Sequence, residues 1–217
     1  MPAAAATPAD LLHDHATLWA WRRQIAGLYA EVRALEHPRL GWQLWRETRD
    51  RLFREHPQSP LEPAQRTALE HLPLFDYDPA LRCMASLVPA AGGEPVTMSG
   101  GGDGAIRMLP FARTAGLEAR LGGELTLYWF GGYGGGVFLP FKDATAGRET
   151  YGGGRYLLDT IKGADLGTAA DGRVILDFNF AYNPSCAYSD RWICPLAPPD
   201  NLVPSPVRGG ERLALGH

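Results

Sequence analysis

A chain of 217 residues is long enough for one full hydrophobic core, or for a domain with a substantial appendage. At 45% hydrophobic and 21% charged residues it falls in the globular range, which excludes global disorder. A net charge of -3, with no basic stripe or tail, argues against a general binder of nucleic acid or anionic membrane. The 26 glycines and 18 prolines, spread among apolar runs, indicate a turn-rich β structure.

The N-terminal stretch "MPAAAATPADLLHDH" lacks a basic n-region and an apolar h-region, so the sequence predicts no signal peptide. No apolar run approaches the roughly 20 residues that a bilayer needs. Three cysteines are too few for a disulfide scaffold, so a cytoplasmic, reduced protein is expected. Thr7 can cap a helix, Pro8 suits its first position and Asp10 completes the box. Leu18, Trp21, Ile25, Leu28, Val32 and Leu35 then recur at spacings of three and four, predicting a helix over 9–36. Pro38 ends it.

"LGWQLWRETRDRLFRE" predicts a second helix, with Leu44, Trp45, Leu52 and Phe53 on its apolar face. Glu47–Arg51 and Asp50–Arg54 are read as i,i+4 pairs on its charged face. "HPQSP" stops it, and a short third helix is expected over 63–72. Past Pro73 the pattern turns to short, glycine-bounded strands at 81–89, 104–113, 117–123, 124–130 and 135–141, continued by "RYLLDTI" and "RVILDFN". Asp171-Gly172 marks a hairpin turn. No helical pattern separates the strands, which excludes a βαβ dinucleotide fold. The expected class is α+β: an N-terminal helical element (1–72) packed on an antiparallel sheet or small β-barrel (73–217), together forming one structural unit.

The glycine clusters at 99–104, 131–136 and 151–156 lie between strands and lack a phosphate loop's lysine and helix, so they read as turns and bulges. No histidine lies between Leu72 and Gly216, which removes a three-histidine metal site from the β region. Cys186 and Cys194, seven residues apart, match a zinc site poorly. They are expected to be reduced, close together and free of metal, with a disulfide as the alternative. The proline-rich segment 184–206 is expected to be an ordered cover over the edge of the "RVILDFN" strand, held by Asn183 and Asn201.

Asp143, Glu149, Tyr151, Arg155, Asp177, Asn179, Tyr182 and Asn183 interrupt apolar stretches, and buried polar groups must meet partners, so they are expected to cluster. "FKDATAGRETYGGGRYL" (141–157), "LDFNFAYNPSCAY" (176–188) and "CPLAPPDNLVPSPVRGGE" (194–211) resemble the C-terminal block of the domain-of-unknown-function family 1684. With "HPQSPL" and "YDPALR" the resemblance runs over most of residues 42–211; Asp200 replaces the usual glutamate and Gly210 the usual alanine. It implies one α+β domain and marks Asp143, Thr150, Tyr151, Arg155, Asp177, Asn179, Asn183, Cys186, Cys194, Asn201 and Glu211 as motif positions, but implies no reaction.

Two functions follow as expectations. The first is a small-molecule pocket where 141–156 meets 177–201. There Asp177 and Glu149 would act as acid and base, and Asp143, Tyr151, Arg155, Asn179, Asn183 and Cys186 would hold the ligand, with no metal and no cofactor named. The second is a non-catalytic structural or partner-binding module that uses the tryptophans of the N-terminal helices. A monomer and a homodimer are equally compatible with the sequence.

Overall fold

A computed structural model describes residues 7–99 and 105–213. All but the first residue of the glycine cluster 99–104 therefore lies outside the described residues. Helix α1 (Pro8–Ala34) starts on the expected cap, with Thr7 Oγ1 accepting the Asp10 N–H at 3.2 Å and Asp10 accepting the Thr7 N–H at 3.0 Å. Only the middle of its apolar stripe is covered. Ile25, Leu28, Tyr29 and Val32 are buried, Leu18 and Leu35 are exposed, and residues 7–16 are exposed throughout.

Helix α2 (Pro38–Glu55) buries Trp42, Trp45, Leu52 and Phe53, but also Arg49 and Asp50. Asp50 does not pair with Arg54. Its carboxylate accepts the Leu72 N–H at 2.8 Å and meets His71 Nδ1 at 2.8 Å, holding the chain where it leaves the short helix α3 (Pro63–Ala68). Counting charges at i,i+4 assigned Asp50 to solvent, whereas the loop beyond α3 needed a buried acceptor.

The remainder is an antiparallel sheet of β1 (Arg82–Pro89), β2 (Val96–Ser99), β3 (Ala105–Ala115), β4 (Thr126–Phe130), β5 (Gly136–Phe141), β6 (Arg155–Asp159) and β7 (Val174–Asp177). The order is β6-β5-β4-β3-β1-β7, with β2 on β3. Tyr156 of β6 and Tyr182, just past β7, exchange backbone hydrogen bonds at 2.8 and 3.0 Å, so the sheet nearly closes into a barrel. The segment 117–123 is no strand. It holds the single-turn helix α4 (Glu118–Leu121), because the Glu124 carboxylate accepts the amides of Gly116, Leu117 and Glu118 at 2.8, 2.8 and 2.9 Å. The strand β2 had no counterpart in the sequence pattern.

Alternation along the strands divides two cores. Leu127, Leu139, Leu157 and Leu176 pack with Phe141 and Phe178 on one face, while Tyr128, Phe138 and Tyr156 meet Tyr29, Trp45 and Phe180 on the other. The second core joins the helices to the sheet. A short hairpin around Asp171-Gly172, with Thr168 bridged to Val174, lies along β7. The proline-rich segment therefore covers a different edge from the expected one. Its residues 201–203 run beside Lys142, with Lys142 N–H to Asn201 O at 2.8 Å and Val203 N–H to Lys142 O at 2.9 Å.

Asn201 is fully buried and binds strand backbone: its Oδ1 accepts the Thr126 N–H at 2.8 Å, and its Nδ2 donates to Thr126 O at 2.8 Å and Pro140 O at 2.7 Å. Further on, Gly210 has φ 73°, and a Cβ there would stand 2.2 Å from Ala181 O. The chain's own path thus requires the glycine at this position. Past it, the fully buried Glu211 accepts Arg49 Nε–H at 2.9 Å through Oε1, while Oε2 accepts the Asn183 N–H at 2.7 Å and the Tyr188 hydroxyl at 2.6 Å.

Two stability outcomes are expected. Asn201→Ala strands three buried backbone groups, each worth about 1–3 kcal/mol when unpaired. Urea denaturation should show a loss of at least about 2 kcal/mol by the same reasoning. Arg49→Met should cost about 3–5 kcal/mol by leaving Glu211 charged and buried. Arg49→Met combined with Glu211→Gln should cost less than the sum of the single changes by at least about 1 kcal/mol. Strict additivity would show that the two side chains do not form the coupled pair.

Candidate functional site

The residues singled out in the sequence divide into two groups. Arg155 is only 1% exposed. It donates to Asp143 Oδ1 at 3.3 Å, to Val207 O at 2.9 Å, to Glu211 O at 3.1 Å and to Gly209 O. Burial lowers its pKa to about 10. Asp143 is spent on the same seam, its Oδ2 accepting the Val207 N–H at 2.7 Å and the Thr145 hydroxyl at 2.8 Å. The expected anion-binding arginine is instead a fastener for the C-terminal segment, because every polar group in so closed an interior must find a partner in the protein.

Asp177 is fully buried; Oδ1 accepts Asn179 Nδ2–H at 2.7 Å and Oδ2 stands 3.4 Å from Arg82. Burial raises its pKa. Asn179 in turn brackets the backbone of Asp78, accepting its N–H at 2.9 Å and donating to its carbonyl at 2.8 Å. Glu149 lies at the surface in a bidentate pair with Arg208 at 2.8 and 2.9 Å, and that guanidinium lowers its pKa. No hydrogen bond joins Glu149 to Asp177, so the two carboxylates expected to share acid–base work are engaged in separate structural pairs.

Asn183 leads elsewhere. A cavity of about 300 Å³ lies between α1, α2, β6 and the loop 182–195. Trp21, Ile25, Phe53, Tyr156, Tyr188 and Trp192 supply apolar wall, and Arg22, Arg49, Lys162, Tyr182 and Asn183 supply polar atoms. Three of its lining groups are buried with no hydrogen-bond partner among the described residues: Tyr182 Oη, Asn183 Oδ1 and Trp192 Nε1. A fourth such atom, Trp42 Nε1, is not in the lining. The Asn183 amide is oriented by Nδ2, which donates to Arg212 O at 2.8 Å and so leaves Oδ1 as the free acceptor. Arg49 forms part of the wall with its guanidinium carbon 5.1 Å from the Tyr182 ring centre, its charge met by Glu211. A more open depression, lined by Asp14, His15, Pro57, Gln58 and Arg191, shares Leu18, Gln58 and Trp192 with the cavity.

Cys194 borders the cavity too. Its sulfur accepts the Cys186 N–H at 3.3 Å, and the Cys186 sulfur lies 3.7 Å from the Tyr151 hydroxyl. Hydrogen bonding from Cys186, followed by backbone amides and the Lys162 charge, lowers the Cys194 pKa to about 6 despite partial burial. The Cys186 pKa moves up, chiefly because its proton is held against Cys194. Among the described residues no group of three or more His, Cys, Asp or Glu side chains is placed to hold a metal ion, and no helix is long and apolar enough to cross a membrane.

Of the expected ligand residues, then, Asn183 lines the cavity, and Tyr151 and Cys186 sit behind Cys194. Asp143, Arg155, Asp177, Asn179 and Glu149 do not line it. Sequence reasoning missed Arg49, Lys162, Tyr188 and Trp192, and placed Tyr182 in the polar cluster without giving it a ligand role. Arg49 was findable, since Trp45, Arg49 and Phe53 recur at i,i+4 and share the buried stripe of α2. Among the tryptophans expected to recruit a partner, Trp42 and Trp45 are buried, and Trp19 is 65% exposed under Arg23.

Comparison with known proteins follows the same outline. No curated protein matches the chain. A solution NMR structure of an uncharacterized protein from Haloarcula marismortui is similar at 36% identity, covering 81% of this chain and 94% of its own, with a TM-score of 0.55. The model of the family described as "Protein of unknown function (DUF1684)" matches residues 67–212. That match takes in the barrel, the 182–195 wall of the cavity and Glu211, though not its partner Arg49, and on it the chain belongs to the DUF1684 family.

Proposed function

We propose that this protein binds a small amphipathic molecule in the cavity between its helices and the 182–195 loop. The carrying observation is that three residues lining one cavity, Tyr182, Asn183 and Trp192, each hold a buried polar atom (Oη, Oδ1 and Nε1) with no hydrogen-bond partner among the described residues. Buried polar groups are almost always satisfied, and a native structure leaves a cluster of them open where something else bonds them. The volume of about 300 Å³ lies at the lower end of the roughly 300–1,000 Å³ that ligand pockets occupy.

The chemistry narrows the ligand. Aromatic walls suit a flat apolar body. Asn183 Oδ1 accepts only, Trp192 Nε1 donates only, and the Tyr182 hydroxyl does either. An amide-like edge, such as that of an aromatic carboxamide, a lactam or a nucleobase, offers both a donor and an acceptor. Of the cations lining the cavity, Arg49 is compensated by Glu211 and Lys162 by Asp159 at 2.8 Å, while Arg22 has no ion pair among the described residues, so at most one cation is left to meet an anionic group on the ligand. This is a binding role. The carboxylates Asp177 and Glu149 are bonded elsewhere and supply no acid–base pair here.

A thermal-shift screen of carboxamides, lactams and nucleobases tests the reading. A ligand at 100 times its Kd should stabilise the fold by about 2.7 kcal/mol. Tyr182→Phe makes the test specific. Removing an unpaired hydroxyl should leave the ligand-free melting temperature unchanged or higher, yet reduce the ligand-induced shift. A ligand-free Tyr182→Phe protein destabilised by more than about 1 kcal/mol would show that the hydroxyl already has a partner and would count against the cavity as a binding site.

A further inference from the structure

The thiols at the cavity wall carry chemistry that binding alone does not use. Cys194 Sγ receives the Cys186 amide at 3.3 Å, at the start of the one-turn 3₁₀ helix Ser185–Ala187. The Cys186 amide thus sets the two cysteines side by side, and the Cys186 sulfur stands 3.7 Å from the Tyr151 hydroxyl. Both cysteines are partly accessible, and both are free thiols. Cys83 is different: it is buried in the barrel core, and burial raises its pKa.

We propose that Cys194 and Cys186 form a two-cysteine site oxidised by small hydroperoxides, with Cys194 as the attacking thiolate and Cys186 as the resolving thiol. Amide donors, the neighbouring thiol and the Lys162 charge all favour an anion on Cys194. A thiolate that is accessible and has a second thiol at hand is the arrangement that peroxide oxidation selects. The cavity wall decides the substrate class. Its opening and apolar lining admit a small organic hydroperoxide, whereas a protein disulfide partner is too large for a space of about 300 Å³.

In the first step the Cys194 thiolate attacks one peroxide oxygen and the O–O bond breaks. Sulfur loses two electrons to become a sulfenic acid, and the alkoxide leaves and takes a proton from water. In the second step the Cys186 sulfur attacks Cys194 Sγ. The S–O bond breaks, hydroxide departs with the Cys186 proton as water, and a disulfide forms. The proton held on Cys186 is released at the right moment, because once Cys194 is oxidised the negative sulfur that held it is gone. A small dithiol returns the pair to its reduced form, its own two sulfurs ending as a disulfide.

The test needs no knowledge of the cavity ligand. Iodoacetamide labelling of the native protein, followed peptide by peptide, should alkylate Cys194 at least about tenfold faster than Cys83 at pH 7. Its half-maximal rate should fall below about pH 7.5, against about 8.5 for an ordinary thiol. One equivalent of cumene hydroperoxide should yield a Cys186–Cys194 bridge, seen by mass spectrometry as the loss of two hydrogens and reversed by dithiothreitol. In Cys186→Ser the same treatment should stop at a Cys194 sulfenic acid that dimedone traps. Alkylation of Cys194 no faster than that of Cys83, or oxidation to the sulfinic acid with no bridge in the unaltered protein, would overturn the proposal.

Discussion

Glu211 is a carboxylate with no contact with water, and it ties the C-terminal segment to two parts of the chain that are distant in sequence, α2 and the stretch 183–188. Arg49 brings α2, Asn183 brings the chain just past β7, and Tyr188 brings the loop that walls the cavity. A buried charge is tolerated only when it is paired and its remaining lone pairs are bonded, and here each Glu211 oxygen is engaged. The residue sits just past the point where Gly210 lets the C-terminal segment pass against Ala181. Helix, barrel and C-terminus therefore depend on one another.

A second seam reinforces the first. Arg155 binds three carbonyls of the 207–211 segment and the Asp143 carboxylate, while Asp143 also accepts the Val207 amide. Between them, Arg155 and Asp143 satisfy backbone groups of an extended segment that has no sheet ladder of its own. The same economy explains Asn201, whose amide replaces a missing strand partner for Thr126 and Pro140. Side chains here do the work that neighbouring strands do in a regular sheet.

The cavity is what remains once these fastenings are made. Tyr156 and Tyr182 close the barrel through their backbones, which leaves their rings on the helix side. The Tyr156 hydroxyl donates to Pro195 O at 2.6 Å and fixes the far side of the loop, while the Tyr182 hydroxyl remains unpaired. Cys186 and Cys194 occupy the two arms of that loop, which brings an anion-favouring set of amides to the same wall. Polar atoms that are satisfied belong to the fold, and three of the four unsatisfied ones among the described residues belong to residues around a single space.

Local chemistry made much of the architecture legible in the sequence. The Thr7–Asp10 cap, the proline breaks, the glycine-bounded strands and the absence of intervening helices led directly to helices on an antiparallel sheet nearly closed into a barrel. The failures came where a side-chain hydrogen bond overrode a local pattern. Glu124 bent 117–123 into a helical turn, and the loop after α3 drew Asp50 inside. The polar motif residues were visible, but their division was not. Arg155, Asp143 and Asp177 look no different in sequence from Asn183 and Tyr182. Only tertiary structure shows which of these groups found partners, because satisfaction of a buried polar atom depends on residues more than a hundred positions away, as Arg49 and Glu211 are to each other. The sequence by itself determined most of the elements and most of the polar residues that are buried; packing alone decided which of those residues hold the fold and which line a cavity with a polar atom unpaired.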